Sequence, residues 1–435
     1  MTDNNWEILK SIIGAVVLIL QYSVLTIFVY QFIISIFGWI KRKEENAEVY
    51  APVNRFALII AAHNEETVIG NIVRNLKRLQ YPQDLYDIYV IADNCYDNTA
   101  KVAAENGATV LERFDSEKKG KGFAMKWAFD KILNVDGNYN AVGIFDADNL
   151  VSPNFLREMN KHLCKGDKVI QGYLDSKNPS DTWVSGNYSI AYWISNRIFQ
   201  LPRYYLGLCC ALGGTGFVMT IDVLKEIGWN ATCLTEDLEF SLQLVLRNMK
   251  VSWCHEAVVY DEKPISLNQS WRQRKRWMQG QADCAGRYLK YLLSKAFKDR
   301  DIIAFDCAVY LLQPLTIVLS GIVVLSRFLR FIFTTDPTTW LQSKGVLTFI
   351  VSLFFTYFMI IFVLAEGKLS RKVLEHFILF PCYGITWIPI IIQGFFDRKK
   401  TVWAHTKHTR AIDIKDIKNI KVIKDIKVIE KLENV

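Results

Sequence analysis

The chain has 435 residues, is 51% hydrophobic and carries a formal net charge of +8, enough for one sizeable soluble domain plus membrane helices. Its Lys and Arg cluster beside apolar segments and in the tail with no separate basic patch, which excludes a nucleic-acid partner and suits membrane lipids with anionic headgroups. Nine Cys without a CxxC pair and six His without ligand spacing exclude a disulfide scaffold and a zinc-type centre; reduced thiols in apolar surroundings, Cys95, Cys254, Cys307 and Cys382 among them, fit a cytosol-facing protein.

Residues 1–45 form the first unit. Positions 12–40 are apolar, longer than the roughly 20 residues a span requires, and end in Lys41-Arg42-Lys43 without a small-residue cleavage site. This predicts a transmembrane helix, not a cleaved leader, with the following domain in the cytoplasm.

Residues 46–265 read as an α/β globule. Three short apolar runs, Arg55 to Ala62, Tyr86 to Ala92 and Ala141 to Phe145, alternate with helical patterns and end in Asn64-Glu65, Asp93-Asn94 and Asp146-Ala147-Asp148. Strands this apolar predict a mostly parallel sheet covered on both faces, with ligands bound beyond the carboxyl ends of the strands. Each acidic end alone is explained as a helix cap; the three together favour a site. The DxD carboxylates are hard oxygen ligands of the kind that, with substrate phosphates, hold Mg²⁺ or Mn²⁺. Lys118-Lys119-Gly120-Lys121-Gly122 offers cations and backbone amides to phosphate, or is a solvated charge run. Gly213-Gly214-Thr215-Gly216 allows close approach of an acceptor. Thr235-Glu236-Asp237 opens a helix, with Thr235 at the N-cap and the acids where the helix dipole favours them; the alternative is a general base for an attacking sugar hydroxyl.

Residues 266–300 predict an amphipathic helix at headgroup level. Gln273, Arg276 and Trp277 fall on one face, an amide, a guanidinium and an indole suited to carbohydrate and phosphate. Residues 301–400 hold about three further spans, near 302–333, 346–365 and 373–396, with Pro314, Pro381 and Pro389 inside two of them. Three crossings put the tail outside, whereas the charge rule wants Arg398-Lys399-Lys400 inside. Residues 401–435 form a basic, low-complexity tail whose every-third-residue apolar pattern makes no single helical stripe.

With these motifs in hand, residues 56–280 resemble the family 2 membrane glycosyltransferases, which include the cellulose, hyaluronan and poly-N-acetylglucosamine synthases. The resemblance implies a GT-A-like α/β domain, a UDP-sugar donor, Mg²⁺ or Mn²⁺, and an inverting transfer to a growing polysaccharide or, alternatively, a single transfer to a lipid acceptor. It implies that Asp93 reads the uracil, with Asn64 and Glu65 beside the nucleoside and Lys121 on the phosphate side. Asp146 and Asp148 match the donor and metal carboxylates, Asp237 the base, and Arg276 the diphosphate ligand, with Glu236, Gln273 and Trp277 toward the acceptor. The FxVTxK loop and the cyclic-di-GMP-binding RxxxR and DxSxxG motifs of the large cellulose synthases are missing, so the layout is more similar to the compact synthases; Trp403, Thr406 and Arg410 match their tail motif only loosely. Nothing in the sequence identifies an accessory subunit.

Overall fold

Because both of their faces are covered, the fully apolar runs form the centre of an eight-stranded sheet. The computed structural model describes residues 3–40, 42, 45–134, 137–230, 232–333, 370–400 and 410–417. The expected span at 346–365, Trp403, Thr406 and the tail beyond Ile417 lie outside the described residues.

Helix α1 (Asp3–Ile36) leads into the sheet. The first half alternates β1 (Phe56–Ala62), α2 (Ile69–Leu76), β2 (Tyr86–Asp93), α3 (Thr99–Glu105), β3 (Thr109–Arg113), α4 (Lys121–Leu133) and β4 (Ala141–Asp146). These strands pair in parallel, β3 to β2 to β1 to β4, as the alternation predicts. After β5 (Leu150–Val151) and α5 (Phe155–Cys164) come β6 (Val169–Ser176), α6 (Trp183–Ser195), α7 (Leu201–Leu206), β7 (Phe217–Thr220), α8 (Ile221–Ile227), α9 (Glu236–Leu246) and β8 (Ser252–Asp261). The full order is β3-β2-β1-β4-β7-β6-β8-β5, with β7 antiparallel to both neighbours and β5 antiparallel to β8. Alternate residues of β1 feed opposite cores: Ala57 and Ile59 join Met125 and Phe240 on one face, Phe56, Leu58 and Ile60 join Ile72 and Phe155 on the other.

Beyond the sheet run α10 (Leu267–Lys298), α11 (Ile302–Phe333), α12 (Arg371–Phe377), α13 (Phe380–Ile385) and α14 (Trp387–Phe396). Two helices among the described residues, Gly14–Trp39 and Ile302–Ser326, are long and apolar enough to cross a membrane. They are tied to the domain by a buried charge cluster: Arg203 of α7 donates to both oxygens of Asp306 on α11 (2.8 and 2.9 Å), and Tyr30 of α1 donates to Asp306 at 3.0 Å. Buried charges persist only when paired in this way.

The last apolar stretch is not one straight helix. It is broken, with α12 bent by 51° against the helices that follow. Pro381, which lacks an N–H, sits in the first turn of α13. Both ends of the stretch contact the soluble domain or its adjoining helix. Asn187 of α6 donates to the His376 carbonyl of α12 (3.0 Å), while Lys275 of α10 pairs with Asp397 just after α14 (2.5 Å). A helix is present over the expected 266–300, as α10, and Met278, Ile390 and Ile391 bury its contact with α14. Cys95, Cys254 and Cys307 are buried free thiols as expected, but Cys382 is exposed.

Candidate active site

The carboxyl ends of β2, β1 and β4 lie side by side, because Ala62 is in register with Ala92 and Ala61 with Asp146. At the first two ends the chain turns through Asn64 (φ 55°) and Asn94 (φ 51°), left-handed positions that Asn tolerates better than bulkier residues. The Asn64 side-chain Oδ1 accepts the Tyr96 N–H at 2.8 Å, and the Glu65 N–H donates to Thr99 Oγ1 at 2.7 Å. Both residues thus fasten the β1 turn to the β2 turn. Asp93 is buried and accepts from Arg113 (2.5 Å), whose guanidinium also reaches Asp115 (2.9 Å). The motif reading missed Arg113; a lone Arg ending a half-exposed strand gives no sequence signal.

Lys121, the first residue of α4, reaches from one side of the site to the other. Its ammonium pairs with Asp146 and donates to the Gly214 carbonyl at 2.7 Å. Burial works against that charge, yet Asp146, Glu236 and Asp237 outweigh it and hold the Lys121 pKa above its ordinary value. Gly214 has φ +76°, and a Cβ there would sit 3.3 Å from Asp237 Oδ2. The glycine turn therefore brings β4, α4 and α9 to one point.

Asp237 is pushed up to about 7, first by burial and then by the adjacent Glu236 charge; the Leu238 N–H (2.8 Å) and Lys121 pull the other way. A carboxyl titrating near neutrality, beside a phosphate-type lysine, is poised to accept a proton. Thr235 occupies the N-cap position of α9 but makes no side-chain capping bond, contrary to the cap expectation. Its side chain instead packs against Gly280 of α10, where a Cβ would meet Thr235 Oγ1 at 2.3 Å. The TED turn is thereby seated on the helix that carries Gln273, Arg276 and Trp277.

Asp148 is buried and accepts the Glu262 N–H at 2.8 Å. The end of β8 supplies two residues that sequence reading passed over. Asp261 is raised to about 6 by burial, with Asp148 and Asp146 adding to the rise against the pull of Lys263. Lys263, itself buried, pairs with Asp261 at 2.7 Å and stands 3.3 Å from the centre of the Tyr192 ring. Three carboxylates, Asp146, Asp148 and Asp261, thus share one field that a divalent cation would relieve. Among the described residues no group of three or more His, Cys, Asp or Glu is arranged to hold a metal by itself. The DxD pair fits a cation that takes its remaining ligands from diphosphate and water.

Gln273 and Trp277 come together on an aromatic shelf. Tyr188 donates to Gln273 at 2.5 Å, its ring lies edge-on to Trp277 at 5.8 Å, and Tyr192 stacks on Tyr188 at 5.7 Å. Burial, then the charges of Asp261 and Asp237, push the Tyr192 phenol well up. Tyr188 and Tyr192 are i, i+4 on α6, a spacing that signals a shared helix face but not which element it meets. Arg276 Nε is buried without a hydrogen-bond partner among the described residues, which leaves a guanidinium donor available to an anion. Arg274, between them in sequence, turns inward and lies over Tyr383 (4.3 Å) and Trp387 (5.0 Å), joining α10 to α13 and α14.

Residues 52–280 match the family described as Glycosyltransferase like family 2. The chain belongs to that family. Among its relatives, the β-monoglucosyldiacylglycerol synthase of Synechocystis sp. is 28% identical over 55% of this chain and 50% of that protein. The poly-β-1,6-N-acetyl-D-glucosamine synthase of Staphylococcus aureus (strain COL) is 25% identical over 51% of this chain and 53% of that protein. The chain thus spans about half the length of these relatives. A mannosyltransferase from Pyrobaculum calidifontis, solved with GDP-Man and Mn2+, superimposes with a TM-score of 0.58 over 89% of this chain and 98% of that one at 13% identity. It shares the GT-A-like fold of this family 2 glycosyltransferase.

Proposed function

We propose that this glycosyltransferase moves a sugar, with inversion, from a UDP-sugar (UDP-N-acetylglucosamine or UDP-glucose) to the end of a growing β-linked polysaccharide, processively and coupled to export. The observation that carries the reading is Asp237, raised to about 7 and facing the Lys121–Asp146 pair across Gly214. Asp237 takes the proton of the acceptor hydroxyl as that oxygen bonds to C1 of the donor sugar. The bond from C1 to the phosphate oxygen breaks, and the diphosphate leaves with the electron pair toward Lys121 and Arg276. Asn64, Glu65 and Asp93 flank the nucleoside, while Glu236, Gln273 and Trp277 line the acceptor side with Tyr188 and Tyr192. Mg²⁺ or Mn²⁺, held by Asp146 and Asp148, would neutralise charge on the departing diphosphate.

A second reading has one specific support. The similarity to β-monoglucosyldiacylglycerol synthases favours single transfer to a membrane lipid. Purified protein incubated with radiolabelled UDP-sugars separates the two: a high-mass, glycosidase-sensitive product supports the polymerase, a small lipid-extractable one the single transfer. EDTA is expected to abolish transfer and Mn²⁺ to restore it; full activity in chelator removes the role given to Asp148. Competition by UDP but not GDP is expected; the reverse would overturn the uridine assignment.

The basic Lys41-Arg42-Lys43 after the first apolar helix supports a cytoplasmic domain in the cell membrane, where nucleotide sugars are available. Arg410–Ile417 docks on that domain, which supports an even number of crossings between Lys298 and Arg410, with α12–α14 lying at the interface. Single-cysteine labelling from either side checks this: labelling of positions 298 and 415 from opposite sides would overturn it.

A further inference from the structure

The segment after the apolar helices returns to the strands that carry the DxD loop. The Arg410 N–H donates to Glu262 Oε2 (3.1 Å), and its guanidinium pairs with Asp181 (2.5 Å). The Ile412 carbonyl accepts from Asn71 (3.2 Å), and Asp413 pairs with Arg78 (3.1 Å). Asp413 and Asp416 close a capping box around the turn Ile414–Asp416. Within that turn Ile414 is buried against Leu150 and Tyr260, with Ile412 and Ile417 beside it.

Those contacts converge on one point. Leu150 of β5 follows the DxD loop by two residues and is in register with Tyr260 of β8. Glu262, fastened by Arg410, donates its own N–H to Asp148 Oδ2 at 2.8 Å. The β5–β8 pairing is only two residues long, too short to fix a loop alone. We infer that residues 410–417 are a strap that positions the Asp148 carboxylate from outside the glycosyltransferase domain, with Ile414 as its apolar anchor and Arg410 as its polar one. That Asp148 holds a cation rests on the proposed function; that the strap sets the geometry of its loop does not. An outer ligand shell of this kind changes metal affinity by about ten- to a hundredfold when disturbed.

The test uses the full chain in lipid nanodiscs. Ile414→Asp evicts the anchor and Ile414→Leu keeps it; Arg410→Asp breaks the polar end, and adding Asp181→Arg restores the pair with charges exchanged. Hydrogen exchange at the Glu262 and Val151 amides is expected to quicken about tenfold in Ile414→Asp and in Arg410→Asp, and to return in Ile414→Leu and in the exchanged pair. The Mn²⁺ concentration for half-maximal transfer is expected to rise about tenfold with kcat at saturating Mn²⁺ changed less than about twofold. Unchanged amide exchange in both disrupting variants overturns the strap. So does faster exchange with unaltered Mn²⁺ half-saturation, since that reduces the segment to packing. A wild-type protein with no metal-stimulated transfer defeats the proposed function instead, and the exchange measurement still decides the strap.

Discussion

The strand-end half and the α9 half of the candidate site hold their carboxylates in opposite ways. At the ends of β2 and β4, Asp93 and Asp146 each have a cation in contact, Arg113 and Lys121. At the start of α9, Asp237 has no cation within ion-pair distance among the described residues, and burial beside Glu236 lifts it to about 7. Pairing keeps a carboxylate ionised and fixed in place; isolation makes it exchange protons near neutral pH. In the proposed function the first half binds and the second reacts.

If that contrast is right, substitutions in the two halves fail differently. Asp237→Asn is expected to cut kcat about a thousandfold, the scale of a lost general base, while UDP affinity measured by calorimetry is retained. Loss of UDP binding would place Asp237 in the donor subsite instead. Arg113→Met is expected to lower unfolding free energy by about 3 kcal/mol, because Asp93 is then left buried and unpaired; denaturant melts measure it. A neutral result would mean Asp93 finds another partner.

Titration sharpens the comparison. Because the base must be ionised, kcat/KM is expected to fall as pH drops below about 7. Glu236→Gln removes a charge that raises Asp237, so the acid limb should move to lower pH. The linkage to stability runs the other way. A carboxyl whose folded pKa lies above its unfolded value stabilises the fold at low pH and loses that contribution as pH rises through about 7. Asp237→Asn is therefore expected to raise Tm at pH 8, with the gain fading toward pH ~4. The smallest effect belongs to the shelf: Tyr192→Ala should raise the acceptor KM about tenfold with little change in donor KM.

Much of this was legible from residue patterns. The runs ending at Ala62, Ala92 and Phe145 became adjacent parallel strands, because strands buried on both faces cannot alternate. The DxD and TED turns lie near one another, because Lys121 links Asp146 to Gly214 and Gly214 approaches Asp237, and Thr235 packs on the helix that carries QxxRW. The break in the third late stretch did not follow from its hydropathy. Residues 373–396 are broken by a 51° bend; Phe377 packs toward α6 and Ile390 and Ile391 against α10, while Ile378, Ile385, Phe395 and Phe396 stay exposed, and hydropathy records neither the break nor which side chains find a protein partner. The start of the tail shows a related limit of pattern reading: Ile414 makes no stripe on a helix, yet it needs only one pocket, between Leu150 and Tyr260.

Local chemistry, written in the order of residues, determined the strand ends, the acidic motifs and the amphipathic helix. What the tertiary structure alone decided is which charges are neighbours: Arg113 with Asp93, Lys121 with Asp146, Lys263 with Asp261 and Tyr192, Arg410 with Glu262 and Asp181. The contacts of Arg113 with Asp93, of Lys263 with Tyr192 and of Arg410 with Glu262 and Asp181 depend on packing between separate elements and on the water it excludes, and no spacing along the chain records either.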